Sequence, residues 1–201
     1  MPSTNKPRLI VIAGPNGSGK TSIADTMHAH HWLQGCDYIN PDTIAQEHFG
    51  NWNSPEAVKD AADWAAKQRE ACLEDGRDLA FETVLSAPDK VDFVVSALQA
   101  GYFVRLIFVA TQSPSINAAR VAQRVMEGGH DVPISKIISR YPKSIANCLL
   151  LAPHVQRLYV YDNSLDNAAA ALCFRATDGV VMKRGATTPA WSDVIQGALK
   201  K

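Results

Sequence analysis

The sequence lacks most of what would mark a secreted, membrane-spanning or nucleic-acid-coating protein. It has no excess of charge, because 20 basic residues meet 20 acidic ones. A neutral chain gives no electrostatic argument for non-specific binding to nucleic acid or to a membrane surface. It has no stretch near the ~18–20 apolar residues that cross a bilayer. The apolar run at residues 9–13 is too short for a secretory signal and leads straight into a glycine-rich loop. The four cysteines, Cys36, Cys72, Cys148 and Cys173, are scattered and lack CxxC spacing. Free, buried thiols in a reducing cytoplasm are the expectation. Repeats and low-complexity segments are absent too.

What is present is 201 residues, nearly half of them apolar. That suits one domain with its own core. Strand-like and helix-like patterns alternate, which predicts an α/β fold with a mostly parallel sheet. Five strands are expected, at residues 8–13, 37–40, 78–85, 102–110 and 155–161. Helices are expected at 20–31, from Pro41, from the Ser54 cap to Gly76, and at 89–100. Further helices are expected at 113–127 and from Pro133, with Pro142 kinking or dividing the latter. A terminal hairpin at 169–183 should turn at Asp178-Gly179, and a closing helix should follow at 189–199.

Residues 14–21, Gly14-Pro15-Asn16-Gly17-Ser18-Gly19-Lys20-Thr21, match GxxxxGK[ST] between a buried strand and a helix. Glycines let successive amides curl inward onto phosphate oxygens. The helix N-terminus adds partial positive charge. Lys20 should reach the β- and γ-phosphates, and the Thr21 hydroxyl should ligate Mg²⁺. Ser22 completes the expected nucleotide-binding set. The sequence therefore predicts a bound ATP or GTP.

A phosphotransferase also needs acids. The fourth strand ends Val109-Ala110-Thr111 and brings no carboxylate. Asp42 follows the second strand and Glu82 closes the third, and strand C-termini face the ligand crevice of a parallel sheet. Asp42 could take the proton of an attacking hydroxyl, although Pro-Asp also suits a helix cap. Glu82 could bind substrate or hold a metal-bound water. Arg120 and Arg124 share a helical face, and Arg140 sits on the polar face of the next helix. Arg124 and Arg140 could close over the nucleotide from a lid-like segment at about 112–150; a solvated basic face is the bland alternative. His28, His30 and His31 form the only histidine cluster in the sequence; positions 28 and 31 share a helical face, but no acidic or cysteine ligand set is nearby to complete a metal site.

Four ordered pieces, GPNGSGKTS, INPD, FETVLS and RVMEGGHDVPISKIISRYPKSIANCL, resemble the zeta-toxin family of P-loop kinases. The last is most similar to the short zeta-like ATPases of bacteria. The resemblance implies an adenylate-kinase-like core and ATP-dependent phosphorylation of UDP-N-acetylglucosamine. It implies Asp42 as catalytic base, Lys20 and Thr21 as phosphate and Mg²⁺ ligands, and Arg124 and Arg140 as phosphate-binding arginines. Glu82 and Thr83 are then the substrate-binding acid and hydroxyl. The longer toxins space that acid and threonine by one residue; here they are adjacent. A further substrate-binding acid has no clean match beyond Glu70, and the longer toxins' C-terminal extension is missing. No antitoxin segment precedes Arg8, so a neutralising partner is expected to be a separate protein. Two other functions fit the residues: a kinase of another metabolite or of a nucleic-acid end, and a nucleotide-dependent switch that transfers nothing.

Overall fold

A computed structural model of the chain describes residues 6–28, 32–50, 52, 54–129, 131–186 and 188–200. The side chains of the histidine cluster lie outside these residues.

The apolar run Arg8–Ala13 forms β1, with all but its first residue buried. Being covered on both faces, it must sit inside a sheet. β2 (Asp37–Ile39), β3 (Leu79–Thr83), β4 (Phe103–Ala110) and β5 (Arg157–Asp162) run parallel to it. β6 (Ala171–Thr177) and β7 (Val180–Arg184) follow, and the order across the sheet is β2-β3-β1-β4-β5-β6-β7. The expected five-stranded sheet is thus the parallel part of a seven-stranded mixed sheet. The predicted hairpin is not an appendage: β6 pairs antiparallel with β5 and seals that edge. Cys173 and Phe174 are buried in the seam, which gives the attachment its apolar force. The turn falls at Asp178 and Gly179, both at positive φ, as the Asp-Gly pair requires.

Helices cover both faces. α1 (Lys20–His28) packs Ala24 and Met27 on Ile10, Ile12, Ile107 and Val109. The opposite face carries α3 (Pro55–Asp75), α4 (Pro88–Gln99), α6 (Ile134–Leu151) and α7 (Ala190–Gly197). Their Ala65, Val94, Cys148 and Ile195 meet Val11, Phe81, Leu106 and Phe108 there. α2 (Pro41–His48) lies beside α3. Ser54 caps α3 through its hydroxyl, and Gly76 ends it in the left-handed region, as its sequence predicts.

α6 is undivided despite Pro142. The ring sits on the exposed side, so water can serve the carbonyl that loses its partner. α5 (Pro114–Met126) joins α6 through Gly128-Gly129, and Val121, Val132 and Ile137 form a small core of their own between them.

Candidate active site

The β1–α1 loop is held open by contacts that leave no room for side chains. A Cβ on Gly14 would lie 1.9 Å from the Val109 carbonyl oxygen. One on Gly17 would lie 2.5 Å from the Asn117 carbonyl oxygen, and one on Gly19 would lie 2.2 Å from Asn163 Nδ2. Gly17 and Gly19 also have φ of 74° and 87°. Two distant amides clamp the loop: Asn117 Nδ2 donates to the Asn16 carbonyl at 2.6 Å, and Asn163 Nδ2 donates to the Ser18 carbonyl at 2.9 Å. Asn117 is itself fixed by a hydrogen bond with Thr111 at the end of β4. Asn16 Oδ1 and Ser18 Oγ are buried there without a partner among the described residues. Such orphans beside a glycine-rich loop at a helix N-terminus fit a polar ligand.

Lys20 rises from the first turn of α1, and its ammonium donates to the Pro15 carbonyl at 3.1 Å. Burial pulls its pKa down to about 8, against the attraction of Glu82 and Asp42, while the Arg124 charge lowers it further. A lysine held so close to neutrality gains most from an arriving phosphate.

Glu82 is the hub of the site. Its carboxylate accepts from Thr21 Oγ1 at 3.3 Å, from Tyr38 OH at 2.5 Å and from Asn40 Nδ2 at 3.2 Å. Burial and the neighbouring carboxylate push the Tyr38 phenol far above its ordinary pKa, so it stays a donor. Asn40 uses its other amide atom as well, since Oδ1 accepts from the Asp42 amide at 2.9 Å and caps α2. Capping therefore belongs to Asn40. Asp42 sits in the first turn of α2, and its carboxylate has no hydrogen-bond partner among the described residues.

Lys20, Thr21, Asp42, Glu82, Thr83, Arg124 and Arg140 all line one cleft of about 410 Å³. Arg124 and Arg140 reach it from α5 and α6, respectively. Gly129 makes room for the first: a Cβ there would meet Arg124 Cγ at 2.6 Å. Arg120 goes elsewhere. It pairs with Asp166 at 2.7 Å and donates to the Asn163 carbonyl at 2.7 Å, on the rim of a second cleft of about 680 Å³. Gly19, Ser22, Met27, Trp32 and Tyr161 help line that second cleft. Among the described residues no group of His, Cys, Asp and Glu is arranged as a metal site in its own right.

A family model for Zeta toxin matches residues 1–167. The chain belongs to the Zeta toxin family. It has the fold of the P-loop kinases, and the β1–α1 loop is the P-loop of that fold. No curated protein matches the sequence at a significant level. Among solved structures, it is similar to the AvrRxo1-ORF1:-ORF2 complex with ATP, at 19% identity and a TM-score of 0.67, over 89% of this chain and 61% of that one. It thus spans about three fifths of that relative's length. It is also similar to a chain of the PezAT chromosomal toxin-antitoxin system of Streptococcus pneumoniae, at 18% identity and a TM-score of 0.64, over 98% and 80% of the two chains. A putative kinase from Chloroflexus aurantiacus matches at 18% identity and a TM-score of 0.52, over 68% and 80%.

For a Zeta toxin chain, the adjacency of Glu82 and Thr83 has a structural consequence. Neighbours in a strand point to opposite faces. Glu82 shares the α1 face with Ala80, whereas Thr83 shares the other face with Phe81. The Thr83 hydroxyl accepts the Leu85 amide at 3.0 Å and supports the turn at Leu85, whose φ is 55°. Tyr38, Asn40, Arg69, Asn117 and Asn163 had not been expected at the site. Only Asn40 carried a signal, as the residue before a Pro-Asp helix start.

Proposed function

We propose that this chain transfers the γ-phosphate of ATP to a hydroxyl of a small acceptor, and that the acceptor is UDP-N-acetylglucosamine or a related sugar nucleotide. The observation that carries the reading is the unpaired Asp42 carboxylate in the same cleft as Lys20, Glu82, Arg124 and Arg140. A switch protein has no use for a solvent-facing base beside its phosphate loop.

The larger cleft beside Gly19 and Ser22 receives the base and ribose, with Arg120 holding the 163–166 turn in place. The loop amides and Lys20 bind the phosphates. Thr21 and Glu82 fit a Mg²⁺ ion, because a hydroxyl and a carboxylate already meet there. Such an ion would neutralise charge on the β- and γ-phosphates. Asp42 accepts the proton of the acceptor hydroxyl. The freed oxygen bonds to the γ-phosphorus, the bond to the β–γ bridging oxygen breaks, and ADP leaves. Arg124 and Arg140 face the transferring group, where arginine is worth ~10³–10⁵ in rate. A separate antitoxin protein that blocks the cleft fits the same reading; no helix of the described residues is long and apolar enough to cross a membrane.

The test is incubation with labelled ATP, Mg²⁺ and a panel of sugar nucleotides and other metabolites. Asp42→Asn should lower transfer at least ~10²-fold with ATP affinity little changed. Full transfer by Asp42→Asn would remove the base assignment, and turnover of a neutral metabolite alone would remove the sugar-nucleotide acceptor.

A further inference from the structure

One cation in the cleft has no role in that mechanism. Arg69, on α3, is only 4% exposed. Its Nε is buried without a hydrogen-bond partner, and its terminal nitrogens form no hydrogen bond or ion pair among the described residues. Aromatic rings lie beside it: the guanidinium is 5.1 Å from the Phe81 ring centre and 5.8 Å from that of Phe93. Burial lowers its pKa, but an arginine does not give up its proton in a protein. A desolvated, permanently charged fork with no acid in direct contact is costly for a fold to keep.

Arg69 lines the end of the cleft that also holds Ser86, Ala87, Asp89 and Lys90. That end is the start of α4, a 12-residue helix whose N-cap is Ala87 and offers no side-chain acceptor. Pro88 brings no N–H and the Lys90 amide donates to the Ala87 carbonyl at 3.4 Å, so the Asp89 amide is the uncapped donor at this positive helix end. Lys90 adds an ammonium, which is paired with Asp89. The acids facing Arg69 are Asp89 and, from its own helix, Glu70, and neither touches it. Asp89 is engaged by Lys90 and its side chain is 62% exposed.

We propose that Arg69, the uncapped start of α4 and Lys90 form a binding site for a phosphate-ester anion carried by the acceptor. This rests on the kinase reading and deepens it: acceptors bearing a phosphate or diphosphate are preferred over neutral ones. A guanidinium held 5.1 Å from the Phe81 ring centre and 5.8 Å from that of Phe93 is a planar fork suited to bidentate phosphate recognition. The site also accounts for the retention of a buried charge that costs the empty protein stability.

The test separates the anion site from the transfer reaction. Protein saturated with Mg²⁺ and a non-hydrolysable ATP analogue, so that the P-loop is filled, is titrated with inorganic phosphate and with methylenediphosphonate by calorimetry. The wild type should bind at least one of them. Arg69→Met should bind it about 10–100-fold more weakly, and Arg69→Lys, which keeps the charge but not the fork, should lie between. With a turned-over acceptor, Arg69→Met should raise KM about as much and leave kcat within about threefold. The empty Arg69→Met protein should melt above wild type, since the methionine packs on Phe81 and Phe93 without a charge to desolvate. A purely structural arginine would give the reverse: a lower melting point and unchanged anion binding. No anion binding by wild type, or equal binding by Arg69→Met, overturns the proposal. Anion binding without transfer to any acceptor would instead sink the kinase reading and leave the site standing.

Discussion

Replacing Lys20 by methionine should stabilise the nucleotide-free protein, and the gain should vanish at high pH. Lys20 has its pKa lowered from 10.5 to about 8, chiefly by burial. Each pKa unit is worth about 1.4 kcal/mol, so the full penalty for holding this ammonium is about 3 kcal/mol. The folded-state value lies below the unfolded one. The penalty is therefore complete below pH ~8 and disappears as the pH passes ~10.5, where both states are neutral. Linkage gives about 3 kcal/mol at pH 7 and about 1 kcal/mol at pH 9.5. Methionine has nearly the same shape but abandons the Pro15 carbonyl, a loss of about 1 kcal/mol. The net gain is about 2 kcal/mol at pH 7 and close to zero at pH 9.5. For a chain this long, 2 kcal/mol corresponds to a melting-temperature rise of about 4–8 °C. Thermal melts of both proteins at the two pH values, in phosphate-free buffer, measure it. ATP with Mg²⁺ should raise the wild-type melting point and leave Lys20→Met unmoved. A variant that melts lower than wild type at pH 7, or a gap of equal size at both pH values, would refute the reasoning. Either result would mean that the ammonium is not desolvated in the empty loop.

Two further substitutions probe the same site. Gly17→Ala should cost at least ~10²-fold in nucleotide affinity, read by fluorescent-nucleotide displacement, because its Cβ meets the Asn117 carbonyl at 2.5 Å at a φ of 74°; near-normal affinity would show that the loop yields freely. Tyr38→Phe removes the 2.5 Å hydrogen bond to Glu82. It should lower kcat about 10–100-fold and raise the Mg²⁺ concentration for half-maximal rate, with little change in KM for ATP, as expected for a charge-assisted bond that positions a carboxylate. An unchanged Mg²⁺ response in steady-state kinetics would argue that Glu82 does not serve the metal.

Much of the fold was legible in the sequence because its signals are local. Pro-Asp and Asn-Pro marks, the Ser54 cap, Gly76 and the Asp178-Gly179 turn each act over a few residues, and each appears where expected. The hairpin's place in the sheet was not legible, since pairing of Val160 with Phe174 is a tertiary outcome. The clamps on the P-loop were equally hidden. Asn117 lies 101 residues from Asn16 and Asn163 lies 145 from Ser18, and an asparagine in a helix or after a strand has many uses. Arg69 was the hardest to see. In the stretch Lys67-Gln68-Arg69-Glu70 it reads as part of a solvated helix face, and only the approach of Phe81 and Phe93 buries it.

The acids show most directly how topology decides function. The sequence places a carboxylate at the end of β3 and none at the end of β4, and nothing local says which of the two strands the P-loop needs. Strand order answers this: β1 lies between β3 and β4, with Ile12 abreast of Glu82. The P-loop threonine therefore meets Glu82, and the end of β4 is free to supply Thr111, which anchors the clamp through Asn117. Asn40 then links the two acids. Its Nδ2 serves Glu82 and its Oδ1 serves the Asp42 amide, so the amide can face only one way. Because that oxygen caps α2, the Asp42 carboxylate is released from the local hydrogen bond that a Pro-Asp helix start would otherwise invite. The residue that settles the orientation of Glu82 is thus the one that leaves Asp42 available as a base. Asn40→Ala should accordingly damage transfer more than either role alone would suggest.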